Sequence, residues 1–447
     1  MIGKSWRLFS SGLFSDIFSG LFSGLFSGVK GGIFSVFTAN VVNKVIGFVT
    51  TMVVTRVMTT ADYGIWSYTL NIYSYLGLIS GLGLMSGCAQ FGTENKGVGK
   101  AYSYFKYCLS RGLIINTGIV IIATIILCAV KLPINEAKKF ILFYAPNLLF
   151  DYILAITQGI LRSKNRIKGY ARLLNINSFL IAVGICGGVF MGINGITIGK
   201  YIASFISIIY AYFSLKDTFV SIRQSEPLKK NDRIALWQYS IVIGACAAMN
   251  VLVYQLDITL IATMIKSATD VGIYKVGSVI PNALQFIPGS IVTAILPSIV
   301  YHKDDVKWIR SNLKKVYIYL TTFNIVLTAL LLVFAPLVIQ FFSGKKYLVA
   351  VPVFRVLLLG YFFSGTFRSL SVNLLSSFRR VKYSLFISIT SCVTDIVFNY
   401  FFILKYQMIG AAYATLLVDI ITAAMSVAYV MYLLKRGTIS EIMQKNN

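Results

Sequence analysis

Apolar runs of about 20 residues follow one another along almost all of this 447-residue chain. That is the length an α-helix needs to span the hydrocarbon core of a bilayer. In lipid every backbone N–H and C=O must find its partner within the protein, so each run is read as a helix. Twelve spans are expected, at about 33–55, 64–88, 112–131, 139–161, 173–192, 196–215, 237–264, 273–300, 316–341, 350–376, 384–404 and 408–433. The fold class is therefore an all-α membrane protein. Composition agrees: only 13% of residues are charged, against about 25% in soluble domains. That deficit excludes an ordinary soluble enzyme and a disordered chain.

Lys and Arg number 41 and Asp and Glu 15, a formal charge of +26. A nucleic-acid binder would gather such an excess into a polar domain. The longest polar stretch here is about 215–236, so no nucleic-acid partner is expected. The basic residues fall instead in alternate loops, by roughly three to one, as the positive-inside rule requires. The sparse side includes Arg56, Lys266, Lys275, Lys345, Lys346 and Lys405. This pattern places both termini in the cytoplasm. The six cysteines contain no C-x-x-C pair and are read mostly as buried packing residues, and His302 stands alone. With no G-x-x-x-x-G-K-[ST] loop either, neither a metal, a cofactor nor ATP hydrolysis is expected.

Residues 8–28 repeat a Leu-Phe-Ser-Gly unit in tandem. A period of four drifts about 40° per unit around a helix, so no fixed groove can follow the apolar stripe. An interfacial extension is expected, with a helix-packing face or a thirteenth span as the alternatives, and the segment is expected to be dispensable for transport. A slower repeat organises the rest. Asp62-Tyr63-Gly64-Ile65-Trp66 returns as Asp270-Val271-Gly272-Ile273-Tyr274, and Arg166-Ile167-Lys168 as Arg380-Val381-Lys382. Six spans separate the copies. Six is even, so both halves enter the membrane in the same direction, as two parallel six-helix bundles around a central cavity. The expected divisions are 1–32, 33–215, a cytoplasmic linker 216–236, 237–433 and a tail 434–447. The Gly in each copy is read as permitting a tight turn into its helix.

These same residues carry a family resemblance. The stretch from Ala39 to Phe91, with Thr55-Arg56 and Asp62 to Ser67, resembles the first two spans of bacterial polysaccharide flippases. So do Gln255-Leu256-Asp257-Ile258-Thr259-Leu260, Val271 to Tyr274, and Ile295-Leu296-Pro297. These are the Wzx-type members of the multidrug/oligosaccharidyl-lipid/polysaccharide (MOP) exporter superfamily. The resemblance covers about 33–433, and the tandem repeat departs from it. It implies a non-enzymatic carrier in the bacterial inner membrane. The substrate would be undecaprenyl pyrophosphate bearing an oligosaccharide for O-antigen or capsule, moved to the outer leaflet by alternating access. Implied partners are membrane lipid, a polysaccharide polymerase and a chain-length regulator. The alternative on the same fold is a cation-coupled multidrug or metabolite exporter.

Ionisable groups inside spans are costly and are functional candidates by default. They are Lys44, Asp151, Asp257, Arg355, Arg368, Asp395 and Asp419. Pyrophosphate in a low-dielectric passage needs counter-charge, and the planar guanidinium fork suits phosphate oxygens. Given the resemblance, Lys44, Arg368 and Arg355 are the candidate substrate-binding cations. Asp395 and Asp419 lie at similar depth to Arg368. They either exchange a coupling proton or simply neutralise it. Asp257 has the neutral Val49 as its counterpart in the first half, which favours a role in ion coupling. Asp151 is expected to pair with Lys44. Lys200, near the outer end of its span, is expected to snorkel to the interface. Asn43, Asn71, Gln255, Gln285 and Asn373 can bond sugar hydroxyls or bridge helices.

Overall fold

The computed structural model describes residues 32–95, 100–301, 305–377 and 381–435. The tandem repeat at 8–28, His302 and nearly all of the tail lie outside the described residues. The first half comprises α1 (Gly32–Val57), α2 (Thr60–Leu78), α3 (Leu84–Glu94), α4 (Lys100–Ala129), α5 (Ala137–Tyr144), α6 (Asn147–Ser163), α7 (Ile167–Gly188) and α8 (Gly192–Ser214). A short α9 (Lys216–Gln224) leads to the second half. That half comprises α10 (Lys230–Ile265), α11 (Ala268–Leu284), α12 (Phe286–Tyr301), α13 (Val306–Val333), α14 (Ala335–Ser343), α15 (Val351–Phe363), α16 (Ser369–Ser377), α17 (Val381–Tyr406) and α18 (Met408–Lys435). No strand occurs among the described residues. Below, the end at which α1 finishes and α2 starts is the distal end, and the opposite end is proximal.

Each expected span coincides with one helix or with consecutive helical pieces. Among the described residues, eight segments are long and apolar enough to cross a membrane unaided. The pair formed by α2 and the Ser80–Glu94 stretch, bent by 42°, makes a ninth. The 48-residue apolar segment from Ile167 to Ser214 is a hairpin of two helices. Its arms, α7 and α8, meet backbone to backbone at Gly184–Gly199 and Gly188–Gly195. The polarity of the molecule is inverted relative to a soluble protein. Asn116, Asn147, Thr197, Ser204, Ser207, Thr422 and Ser426 are buried, while Ile121, Ile125, Phe401 and Leu404 face outward. Small and polar residues inside an apolar exterior are what helix packing in lipid selects.

The internal repeat is visible in cap chemistry. Thr59 accepts from the Asp62 amide at 3.1 Å to start α2. Ser267 accepts from the Asp270 amide at 3.2 Å to start α11. Both pairs follow the N-cap pattern in which a short hydroxyl side chain satisfies an orphan amide. The glycine of each copy serves the seam between halves, which corrects its reading as a turn residue. A Cβ on Gly64 would fall 1.7 Å from the Ala268 carbonyl oxygen, and one on Gly272 would fall 2.4 Å from that of Thr60. The contact is reciprocal, so α2 and α11 cross where each lacks a side chain.

The stretch 216–236 is largely helical, as α9 and the first turns of α10. Helix α10 also spans both halves. Near its proximal end Ser240 lies against Gly83 and Gly87 of the first half, and Asp232 pairs with Lys100 at 2.9 Å. The bend between α2 and α3 opposite it depends on left-handed backbone at Gly81 and Gly83, with φ of 56° and 79°.

Candidate functional site

Two polar clusters lie roughly 10–25 Å of helical rise below the distal end, one in each half. In the second half, Asp257 of α10 accepts from the Tyr274 hydroxyl of α11, from Thr415 of α18 at 3.0 Å and from the Asn399 amide of α17 at 3.1 Å. The same Asn399 nitrogen donates to Asp395 Oδ1 at 3.0 Å. One amide therefore bridges two carboxylates. Asp395 is only 4% exposed, and its Oδ2 has no hydrogen-bond partner. Beside them Arg368 donates to Asp419 at 3.2 Å. Arg368 closes a π-helical turn, Ser364–Arg368, that interrupts the span between α15 and α16. Side chains hold that turn: Gln285 donates to Ser364 at 2.6 Å, and Asn324 to Thr366 at 2.9 Å. The cluster thus sets three carboxylates against one guanidinium. Of the expected Arg–Asp group, Arg368 and Asp419 are in contact, while Asp395 is tied to Asp257 through Asn399.

In the first half, Asp151 of α6 accepts from Lys200 of α8 at 2.8 Å and from the Tyr73 hydroxyl of α2. The Lys200 ammonium lies 5.0 Å and 4.8 Å from the ring centroids of Tyr73 and Tyr144. This corrects two expectations. Asp151 pairs with Lys200 rather than Lys44, and Lys200 does not snorkel. Eight residues into α8, it lies about 12 Å from the helix start. The carboxylate and two aromatic faces offer its charge a nearer partner than the interface does.

The remaining cations separate. Lys44 is exposed on α1 and has no carboxylate in ion-pair range among the described residues. Arg355 is exposed, and its Nε donates to the Leu332 carbonyl at 3.3 Å, near the end of α13. A cation there complements the negative end of the helix dipole. Most candidate amides bridge helices or bond backbone. Asn71 donates to the Gln255 side chain at 3.0 Å and to its carbonyl at 2.9 Å, joining α2 to α10. Asn373 donates to the Ser369 carbonyl one turn back. Cys88 and Cys108 are buried, but Cys128 is exposed and Cys186 and Cys392 are half-buried, so the burial expectation holds for only some of these thiols.

A cleft of about 340 Å³ opens between α1, α2 and α7 of the first half and α11 of the second. Asn43, Thr50, Tyr63, Trp66, Tyr144 and Lys275 contribute to its wall. Lys275 was counted with the loop cations, at the very start of the expected 273–300 span. The Ser267 cap starts α11 at Ala268, which carries Lys275 two turns into the helix and onto the cleft. No carboxylate lies in ion-pair range of it among the described residues. Asn43 Oδ1 is buried without a partner. Lys44, one residue further along α1, is rotated about 100° from Asn43 and is not part of this wall. The Ser267-x-x-Asp270 pattern was the sequence signal that could have moved Lys275 from loop to helix.

Comparison with known proteins gives a consistent set of likenesses. The profile of the family described as polysaccharide biosynthesis protein matches residues 29–302. An uncharacterized membrane protein of Methanocaldococcus jannaschii is 26% identical over 212 residues, covering 46% of this chain and 41% of that relative. The match therefore spans less than half the length of that curated relative. Among solved structures, a lipid II flippase MurJ in an inward closed conformation aligns with a TM-score of 0.69 at 17% identity, over 91% of this chain and 88% of that one. An inward-facing multidrug resistance MATE family transporter of the MOP superfamily aligns with a TM-score of 0.68 at 15% identity, over 91% and 96%. A MOP superfamily transporter from Pyrococcus furiosus aligns at 0.60 and 14% identity, over 90% and 94%. At these identities the structural likenesses establish the fold.

Proposed function

The chain belongs to the polysaccharide biosynthesis protein family, and from that premise we propose that it is a flippase for undecaprenyl-pyrophosphate-linked oligosaccharide. It carries repeat units for O-antigen or capsule from the cytoplasmic to the outer leaflet of the bacterial inner membrane, with no covalent step. The observation that carries this reading is the cleft at the seam between halves. Its ammonium, Lys275, has no acid partner among the described residues, and the cleft wall also carries amide and hydroxyl groups. A wall of that kind fits an anionic, oxygen-rich headgroup. Lys275 meets the pyrophosphate first, joined by Lys44 and Arg368 as the halves move. Arg355 serves as a helix cap. The proximal end faces the cytoplasm, in keeping with the basic loops there. A polymerase and a chain-length regulator receive the product.

The acidic surplus of the second half supports coupling to an exchangeable positive charge. Asp395 and Asp257, bridged by Asn399, take up a proton or a monovalent cation in one state and release it in the other. The same surplus supports the second reading, a cation-coupled multidrug exporter. Deletion separates the two. Cells lacking the flippase accumulate lipid-linked repeat units on the cytoplasmic leaflet and lose surface polysaccharide. Lys275→Ala should reproduce that defect at least tenfold in export rate while the protein still inserts. Normal polysaccharide in a deletion strain with no second flippase would exclude the proposal.

A further inference from the structure

The distal mouth is closed by two cations that each finish a helix of the opposite half. Arg56, in the last turn of α1, donates to the Phe341 carbonyl near the end of α14. Lys346 of the second half donates to the Arg56 carbonyl at 3.1 Å and to the Met58 carbonyl, the end of α1. The last carbonyls of a helix have no partner within it, and a cation there also meets the negative end of its dipole. Each half therefore caps the other. Aromatic contacts lie beneath: Phe48–Phe342 at 4.4 Å and Tyr63–Tyr347 at 6.2 Å between centroids. Tyr63 also lines the cleft, so this closure roofs it.

The cations of the closure border an open hollow of about 360 Å³, lined by Arg56, Gln340, Ser343, Gly344, Lys345 and Lys346. Lys345 is exposed and has no bonded partner among the described residues. Ser343 is fully buried, and its hydroxyl has no partner. No carboxylate lies within ion-pair range of the three cations among the described residues. Asp62, the carboxylate in the first turn of α2, is engaged by the Thr59 hydroxyl at 2.7 Å. Carbonyl oxygens are partial charges. A phosphate offers the same guanidinium and ammonium a full one, with stronger charge-assisted hydrogen bonds.

We propose that Arg56 and Lys346 form a reciprocal capping latch between the halves, and that a phosphate-class anion captured with Lys345 releases it. The latch stands on geometry alone; only the source of the anion, a pyrophosphate headgroup rising from the cleft, rests on the flippase reading. The anion draws both cations off the carbonyls they cap, and the distal mouth opens when the cargo arrives beneath it.

The test uses the full chain in phosphatidylcholine nanodiscs, with ketone-reactive spin labels at the exposed positions 57 and 349, leaving the six cysteines untouched. The unmodified latch should give one short distance between labels. Arg56→Gln and Lys346→Gln, made separately, should each transfer a substantial population to a longer distance. Inorganic pyrophosphate should produce the same transfer in the unmodified latch. Lys345→Gln should keep the short distance and lose the response to pyrophosphate. Opening in phosphatidylglycerol nanodiscs without pyrophosphate would support the anion site and assign it to bulk lipid. Distances unmoved by both glutamine variants would overturn the latch. Distances moved by those variants but by neither anion would overturn its release. None of these readings requires transport, so a failed flippase assignment leaves them interpretable.

Discussion

The two halves share a helical plan but balance their buried charge differently. In the first, one carboxylate meets one ammonium, and two tyrosine rings cover the cation. In the second, one guanidinium stands among three carboxylates: Arg368 bonds Asp419, and Asn399 bridges Asp257 and Asp395. A closed pair has nothing to exchange and serves to hold α2, α6 and α8 together. A surplus of two carboxylates must bind something or stay neutral at a cost, because an unpaired charge away from water is expensive. Under the proposed function, the first-half pair acts as a frame and the second-half acids supply the coupling charge.

Breaking the first-half pair should give the largest effect. Lys200→Ala strands Asp151 and should cost about 3 kcal/mol of stability, the low end for a broken buried pair. The low end applies because the Asp151 side chain keeps 36% exposure. Thermal unfolding in detergent measures it, and adding Asp151→Asn should recover most of the loss. A Lys200→Ala protein as stable as the parent would remove the frame from the comparison.

Asp395→Asn in the second half should leave stability unchanged or raise it slightly, while export falls at least tenfold. The amide removes surplus charge but cannot exchange it. Proteoliposome transport and a melting curve on the same preparation report both quantities. If Asp395→Asn destabilised the protein as much as Lys200→Ala, the two clusters would be doing the same work.

The smallest expected effect sharpens the role of the one guanidinium. Arg368→Lys keeps the charge and loses the planar fork, so export should fall only a few-fold. Arg368→Ala should fall further, leaving Asp419 without its partner. Full export in an Arg368→Ala, Asp419→Ala double variant would show that Arg368 acts only as a counter-charge.

Span length, loop charge and the two six-span copies were legible along the chain because each is a property of one segment at a time. A run of about 20 apolar residues must be a helix in lipid, whatever it packs against. The same holds for the candidate acids, since a charge inside a span is conspicuous wherever its helix points. Partner choice was not legible. Periodicity fixes the angle between two residues on one helix, but not the rotation of that helix against its neighbours. That rotation put Asn43 rather than Lys44 on the cleft, gave Asp151 to Lys200, and let Asn399 bridge Asp395 to Asp257. It is set by backbone contacts such as Gly64 against Ala268, where a missing side chain allows the halves to approach. Such contacts join residues about 200 positions apart, so only the folded structure could bring them together.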